Sequence, residues 1–132
     1  MGDVNITGMD EILKKLKKLP EKIQKRVLTG AVRAGAKPMI KEAKRLAPVK
    51  TGTLKKSIGV VKRRSKDKNI IKFSIAPRNK KGGWYGFFVE FGTTKMHAHP
   101  FMRPAYEKEG ENTIDTVREY MAKRVPKEIS KL

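Results

Sequence analysis

His97 and His99, Glu90, Arg103 and the run Lys50-Thr51-Gly52 are the positions whose types and spacing come nearest to chemistry. Two alternating histidines in a strand would face one side and could hold zinc or nickel, but such a site needs a third and usually a fourth ligand. The chain has no other histidine and no cysteine. A metal would have to recruit Glu90 or Glu107, so the ligand count favours ordinary loop histidines. Glu90 stands within an apolar stretch and reads as solvated or paired to a lysine or arginine, because acid–base work would want a second carboxylate nearby. Lys50-Thr51-Gly52 offers an amine, a hydroxyl and a glycine to a phosphate, yet lacks the two glycines and the following helix of a phosphate loop. Arg103, between Met102 and Pro104, can anchor a loop to a carboxylate or bind phosphate. Neither histidine has a persuasive serine partner, and no glycine–serine–glycine elbow is present. No residue is assigned to catalysis, to a metal or to a cofactor.

The elements that must position these residues follow from apolar spacing. Asp3 to Thr7 alternates polar and apolar and reads as a short edge strand, broken by Gly8. Met9, Ile12, Leu13, Leu16 and Leu19 fall at helical spacing, and Pro20 ends that helix and fits the first turn of the next. A long helix is expected from Glu21 to Ala47, with small residues from Gly30 to Ala36 that would let another backbone approach closely. Pro38 predicts a kink near Ala34, or two helices meeting there. Pro48 to Leu54 reads as a helix-to-strand connector. Ser57 to Arg63 and Asn69 to Ala76 read as a hairpin, with Ile71, Phe73 and Ile75 on one face. Trp84 to Phe91, with five aromatic rings in eight residues, is expected to be a third strand. In it Tyr85, Phe87, Val89 and Phe91 would point one way. A last helix is expected from Ala105 to Arg124, stopped by Pro126, with residues 127–132 frayed. The expected fold is α+β: N-terminal helices, one long and kinked, a three- to four-stranded antiparallel sheet, and a C-terminal helix packed on the sheet.

Size and charge bound the rest. The chain of 132 residues is long enough for one domain, 1–132, and not for two. No apolar run approaches the roughly 20 residues of a membrane span, and Met1 to Asn5 lacks the layout of a signal peptide. The formal charge is +19. Residues 1–66 hold 19 Lys and Arg against 5 Asp and Glu, a net of +14, whereas residues 67–132 hold 13 against 8, a net of +5. Such a field attracts nucleic acid, acidic membrane or an acidic protein face. Lysines outnumber arginines 23 to 9, which favours diffuse contact over base reading. The alternative function on these grounds is a small basic protein that binds nucleic acid without sequence preference.

Four segments occur in one order: Gly8-Met9 with Leu13, Leu16 and Leu19-Pro20; Ala47 through Ile58; Glu90-Phe91-Gly92-Thr93; and Pro100-Phe101-Met102-Arg103-Pro104-Ala105. In this order the chain resembles the head–tail joining, or tail-completion and neck, proteins of long-tailed bacteriophages and prophages. The heavy lysine load and Pro38 depart from the pattern. The resemblance implies a structural virion protein with no catalytic residues and no cofactor. It would sit at the neck, after assembly in the bacterial cytoplasm, as part of a ring through which DNA passes, the protein being hexameric in the virion and either that or a monomer in isolation. Its implied partners are copies of itself, connector or head-completion proteins, tail-tube or tail-terminator proteins, and DNA, with no membrane. Candidate contacts with subunits or partners are Lys50, Thr51, Gly52, Thr53, Gly92, Thr93, His97, His99, Phe101 and Arg103. Candidate contacts with DNA or an acidic partner are Lys14, Lys15, Lys17, Lys18, Lys55, Lys56, Arg63 and Arg64.

Overall fold

The helical spacing of the first part of the chain is realised as helix α1, Asp10–Lys17, and helix α2, Glu21–Leu46. The structure, a computed structural model, describes residues 10–48, 52–67 and 72–132. The expected edge strand at Asp3 to Thr7, the residues Lys50 and Thr51, and the start of the expected second strand at Asn69 to Ile71 lie outside the described residues. Between α1 and α2 the Pro20 carbonyl accepts from the Ile23 and Gln24 amides, and the Gln24 side-chain amide donates to the Leu19 carbonyl at 2.7 Å. Pro38 does not divide α2 into two helices; one helix includes it.

The next elements are helix α3, Thr53–Ser57, strand β1, Ile58–Arg63, and strand β2, Lys72–Pro77. Helix α3 was not foreseen. It follows Gly52, whose φ is 78°, and runs from the end of the expected connector, Pro48 to Leu54, into Ser57, the first residue of the expected strand. The strands pair antiparallel from Ile58 opposite Pro77 to Arg63 opposite Lys72. A 3-10 turn, Asn79–Lys81, leads to helix α4, Gly86–Phe91, and helix α5, Met102–Ser130, completes the chain.

The fold is α+β as expected, but among the described residues the sheet has two strands and not three or four. The missing third strand is α4. Its buried residues are Gly86 and Val89, with Tyr85 half-buried, a helical spacing that turns Phe87, Phe88 and Phe91 outward. In a strand, Phe87 and Phe91 would have shared the face of Val89. The last helix also differs from expectation, for it runs through Pro126 to Ser130. Proline removes one ladder bond there. The turn is held by Val125, fully buried, by Ile129 packed on the same cluster, and by Glu128, which accepts from Arg124 Nε at 2.9 Å.

Two compact units result, Met1–Gly35 with Glu111–Leu132, and Ala36–Gly110. In the first, Leu16, Leu19, Val27, Ala31, Met121 and Val125 are buried together. Here the small residues of α2 do what their size suggests: a Cβ on Gly35 would lie 2.6 Å from Val117 Cγ2 and 2.9 Å from the Thr113 carbonyl oxygen. In the second, Met39, Ala43, Ala47, Leu54, Ile58, Val89, Phe101, Met102 and Ala105 form the core, with Ile75, Tyr85 and Tyr106 against it. A two-stranded hairpin is marginal alone; Ile58 and Ile75 give this one a core to pack on. Glu42 is buried in this unit, where its carboxylate accepts from Arg45 Nε at 3.1 Å and from Lys108 Nζ at 3.4 Å. The Arg45 guanidinium holds the Glu42 carboxyl below its ordinary range, against the opposing pull of desolvation and with help from Lys108.

Candidate functional site

The site is α4, the loop after it, and the first turn of α5. Gly86 lets α4 approach the sheet, since a Cβ there would stand 2.7 Å from Pro77 Cγ and 3.0 Å from Leu54 Cδ1. With Val89 inside, the remaining large side chains have no core to enter. Trp84 is 65% exposed, Phe87 66%, Phe88 45% and Phe91 68%. Phe87 and Phe91 lie with ring centroids 4.8 Å apart and planes tilted by 47°, and Phe87 meets Phe88 edge to face at 6.1 Å. Met96 adds partly exposed apolar surface from the loop. Contiguous exposed apolar surface of this kind marks interaction sites.

Glu90 fixes this surface to the rest of the unit. Its Oε2 accepts from the main-chain N–H groups of Phe101 at 2.8 Å and Met102 at 2.9 Å, and its Oε1 accepts from that of Arg103 at 3.0 Å. These are the free donors that open α5, where a negative charge is also favoured by the helix dipole. Glu90 is thus neither a simple solvated carboxylate nor the partner of a lysine or arginine, the two readings its sequence context favours. It joins the Glu-Phe-Gly-Thr segment to the Pro-Phe-Met-Arg-Pro-Ala segment. The chain signal for this is weak, because the cap lies 11 to 13 residues before the amides it serves, whereas capping patterns are read within one turn.

The intervening loop is closed by main-chain bonds. Gly92 N–H donates to the Phe88 carbonyl at 2.7 Å, Thr93 N–H to Met96 at 2.9 Å, and His99 N–H to Val89 at 2.8 Å. Gly92 has φ 77°, a region that favours glycine, and a Cβ there would stand 2.9 Å from the Ala98 nitrogen.

The expected contact residues fall unevenly. Gly92, Thr93, His97, His99 and Arg103 gather in this loop and at the start of α5, and all but Gly92 are exposed. Phe101 is completely buried, so it serves the core and corrects the expectation of a surface contact. Arg103 makes an exposed ion pair with Glu107 at 3.4 Å, of little energetic worth. Gly52 and Thr53 open α3. His97 and His99 lie in the loop and not in a strand, and among the described residues no group of three or more His, Asp or Glu could hold a metal ion. Lys14, Lys15, Lys17 and Lys18 are exposed on and just after α1, in the first unit. Lys55, Lys56, Arg63 and Arg64 belong to the second, where Arg63 Nε donates to Ser74 Oγ at 3.1 Å. The sequence reading missed the exposed rings of Phe87 and Phe91, which a strand would have hidden. No helix among the described residues is long and apolar enough to cross a membrane.

Residues 10–99 match the family model described as "Bacteriophage HK97-gp10, putative tail-component". No curated protein and no solved structure matches the chain.

Proposed function

The chain belongs to the HK97-gp10-like family of phage tail components, and on that premise we propose that it is a neck or tail-completion protein joining the DNA-filled head to the tail tube. Membership makes it a structural part of the virion that contacts other phage structural proteins. In the fuller reading its copies form a ring, six in the virion, between connector and tail-tube or terminator proteins, and DNA passes through without being read. The protein acts by shape and docking and catalyses nothing. One observation carries this reading: an aromatic surface left open on α4 and just before it, and tied by Glu90 to the start of α5. A small α+β protein gains nothing in stability from four exposed rings, so a partner that buries them accounts for their presence.

The lysines of α1 and the basic residues of α3 and β1 then face the DNA passage or an acidic neighbouring ring. Their charge also fits the second reading, a free-standing nucleic-acid binder, which requires tight duplex binding by the isolated chain that weakens steeply with salt. Deleting the gene and imaging the particles separates the two. Filled heads and finished tails that fail to unite are expected. Normally joined particles would remove the neck role.

A further inference from the structure

The exposed rings of α4 and a carboxylate stripe on α5 have complementary chemistry, and we propose that they meet between copies, α4 of one copy docking on the Glu111, Asp115 and Glu119 face of the next. Along the chain the rings are flanked by cations. From residue 78 to 103 the chain carries Arg78, Lys80, Lys81, Lys95 and Arg103 against a single acidic residue, Glu90, and both oxygens of Glu90 already accept from main-chain amides. Lys80, Lys81 and Lys95 are exposed. An exposed aromatic patch carried on a cationic segment is complemented by a surface that carries carboxylates beside a small apolar foothold.

Of the 13 acidic residues, 5 lie between positions 107 and 119. Glu111, Asp115 and Glu119 recur at every fourth position of α5, so each is turned only about 40° from the last and the three form one stripe. All three are exposed, and Asp115 approaches Arg118 only at 3.7 Å. Ala122, also exposed, falls within the same sector of the helix and offers the rings an apolar foothold.

The charge pattern sets the mode of contact. Two α4 surfaces facing each other across a two-fold axis would bring two cationic segments together, which like-charge repulsion opposes. A head-to-tail contact avoids this, because each copy offers one patch of each kind. The asymmetry extends to the units. Residues 36–110 hold 19 Lys and Arg against 5 Asp and Glu, a net of +14; residues 1–35 with 111–132 hold 13 against 8, a net of +5. Duplex DNA would satisfy the cations but gives the three α4 rings no apolar surface, and the tilted Phe87 and Phe91 pack on each other and do not lie open as separate stacking platforms.

The inference deepens the ring reading and rests on it for the expectation that copies meet in the virion. Sedimentation equilibrium of the full chain over a wide concentration range tests it. Expected is association beyond the dimer that weakens as salt rises. Phe87→Ser with Phe91→Ser should weaken it at least about tenfold, as truncation of aromatic anchors does. Glu111→Lys with Glu119→Lys should weaken it comparably, and adding Lys80→Glu with Lys81→Glu to that pair should restore it. Circular dichroism checks that these exposed-site variants keep their helices. A monomer throughout, association indifferent to the ring substitutions, or charge reversal that fails to restore would each overturn the interface. Particle imaging distinguishes this failure from that of the neck role. Ring variants that no longer associate yet still unite heads with tails overturn the interface alone. A chain that associates as described in a phage whose deletion mutant joins normally overturns the neck role alone.

Discussion

The two units of this protein each join an apolar cluster to a buried carboxylate, but they differ in how much aromatic surface they leave open. Among its described residues, the unit of residues 1–35 and 111–132 buries or half-buries most of its large apolar side chains, Leu13 and Leu132 apart, and Glu128 accepts from Arg124. Its helices meet on leucine, valine and methionine, and Gly35 yields its side-chain volume so that Val117 and Thr113 can come close. The unit of residues 36–110 adds more polar devices to its own apolar core. Ser57 donates to the Leu54 carbonyl at 2.6 Å, Glu42 holds Arg45 and Lys108, and Glu90 caps α5. With its fold held partly by hydrogen bonds, that unit leaves Trp84, Phe87, Phe88 and Phe91 outside. A small domain that is stapled by buried polar contacts can keep aromatic surface in reserve for a partner.

The sharpest way to break the comparison is to remove the staple. Glu90→Ala strips three main-chain donors of a charged acceptor and should cost about 2–4 kcal/mol, read as a lowered denaturation midpoint. Amide exchange should rise first around residues 101–105, while those near Met121 and Val125 keep their protection. An equal loss in both regions would show that the two units do not differ in this way. Next comes overfilling of the apolar seam. Gly35→Ala pushes a methyl into Val117 and should destabilise by about 1–3 kcal/mol. Gly110→Ala, where a Cβ meets nothing within 4 Å, should instead stabilise by about 0.5–1 kcal/mol, as alanine does in a helix interior. If both glycines behave alike, close packing is not what Gly35 provides. The smallest effect concerns acid. Because Glu42 has a folded pKa below its unfolded value, its contribution is complete above the unfolded value and is lost as pH falls through the folded one. Melting temperature should therefore drop on acidification below the ordinary carboxylate range, and Glu42→Gln should flatten that part of the profile.

Much of the fold could be read from apolar spacing. The α1 and α2 limits and the pairing of Ile58 to Arg63 with the second strand follow from periods of 3.6 and 2, because one face of each element must be buried. Trp84 to Phe91 could not be read so. Aromatic residues suit a half-buried strand, and alternation places Tyr85, Phe87, Val89 and Phe91 together. Only the tertiary setting, in which Gly86 and Val89 meet Pro77 and the core, selects the helix. Pro126 misleads for a related reason, since local proline rules yield to the burial of Val125 and the packing of Ile129. The site itself was half legible. The two segments around Glu90 and Phe101 stand out in the sequence, yet the bond between them depends on a loop that folds back.

That single carboxylate has a mechanical consequence. It stands between the aromatic surface of α4 and the backbone that begins the 29-residue helix α5. A tug on the rings therefore reaches Phe101, Met102 and Arg103 through this side chain as well as through the His99–Val89 bond and the shared core, so whatever grips α4 also bears on the first turn of α5.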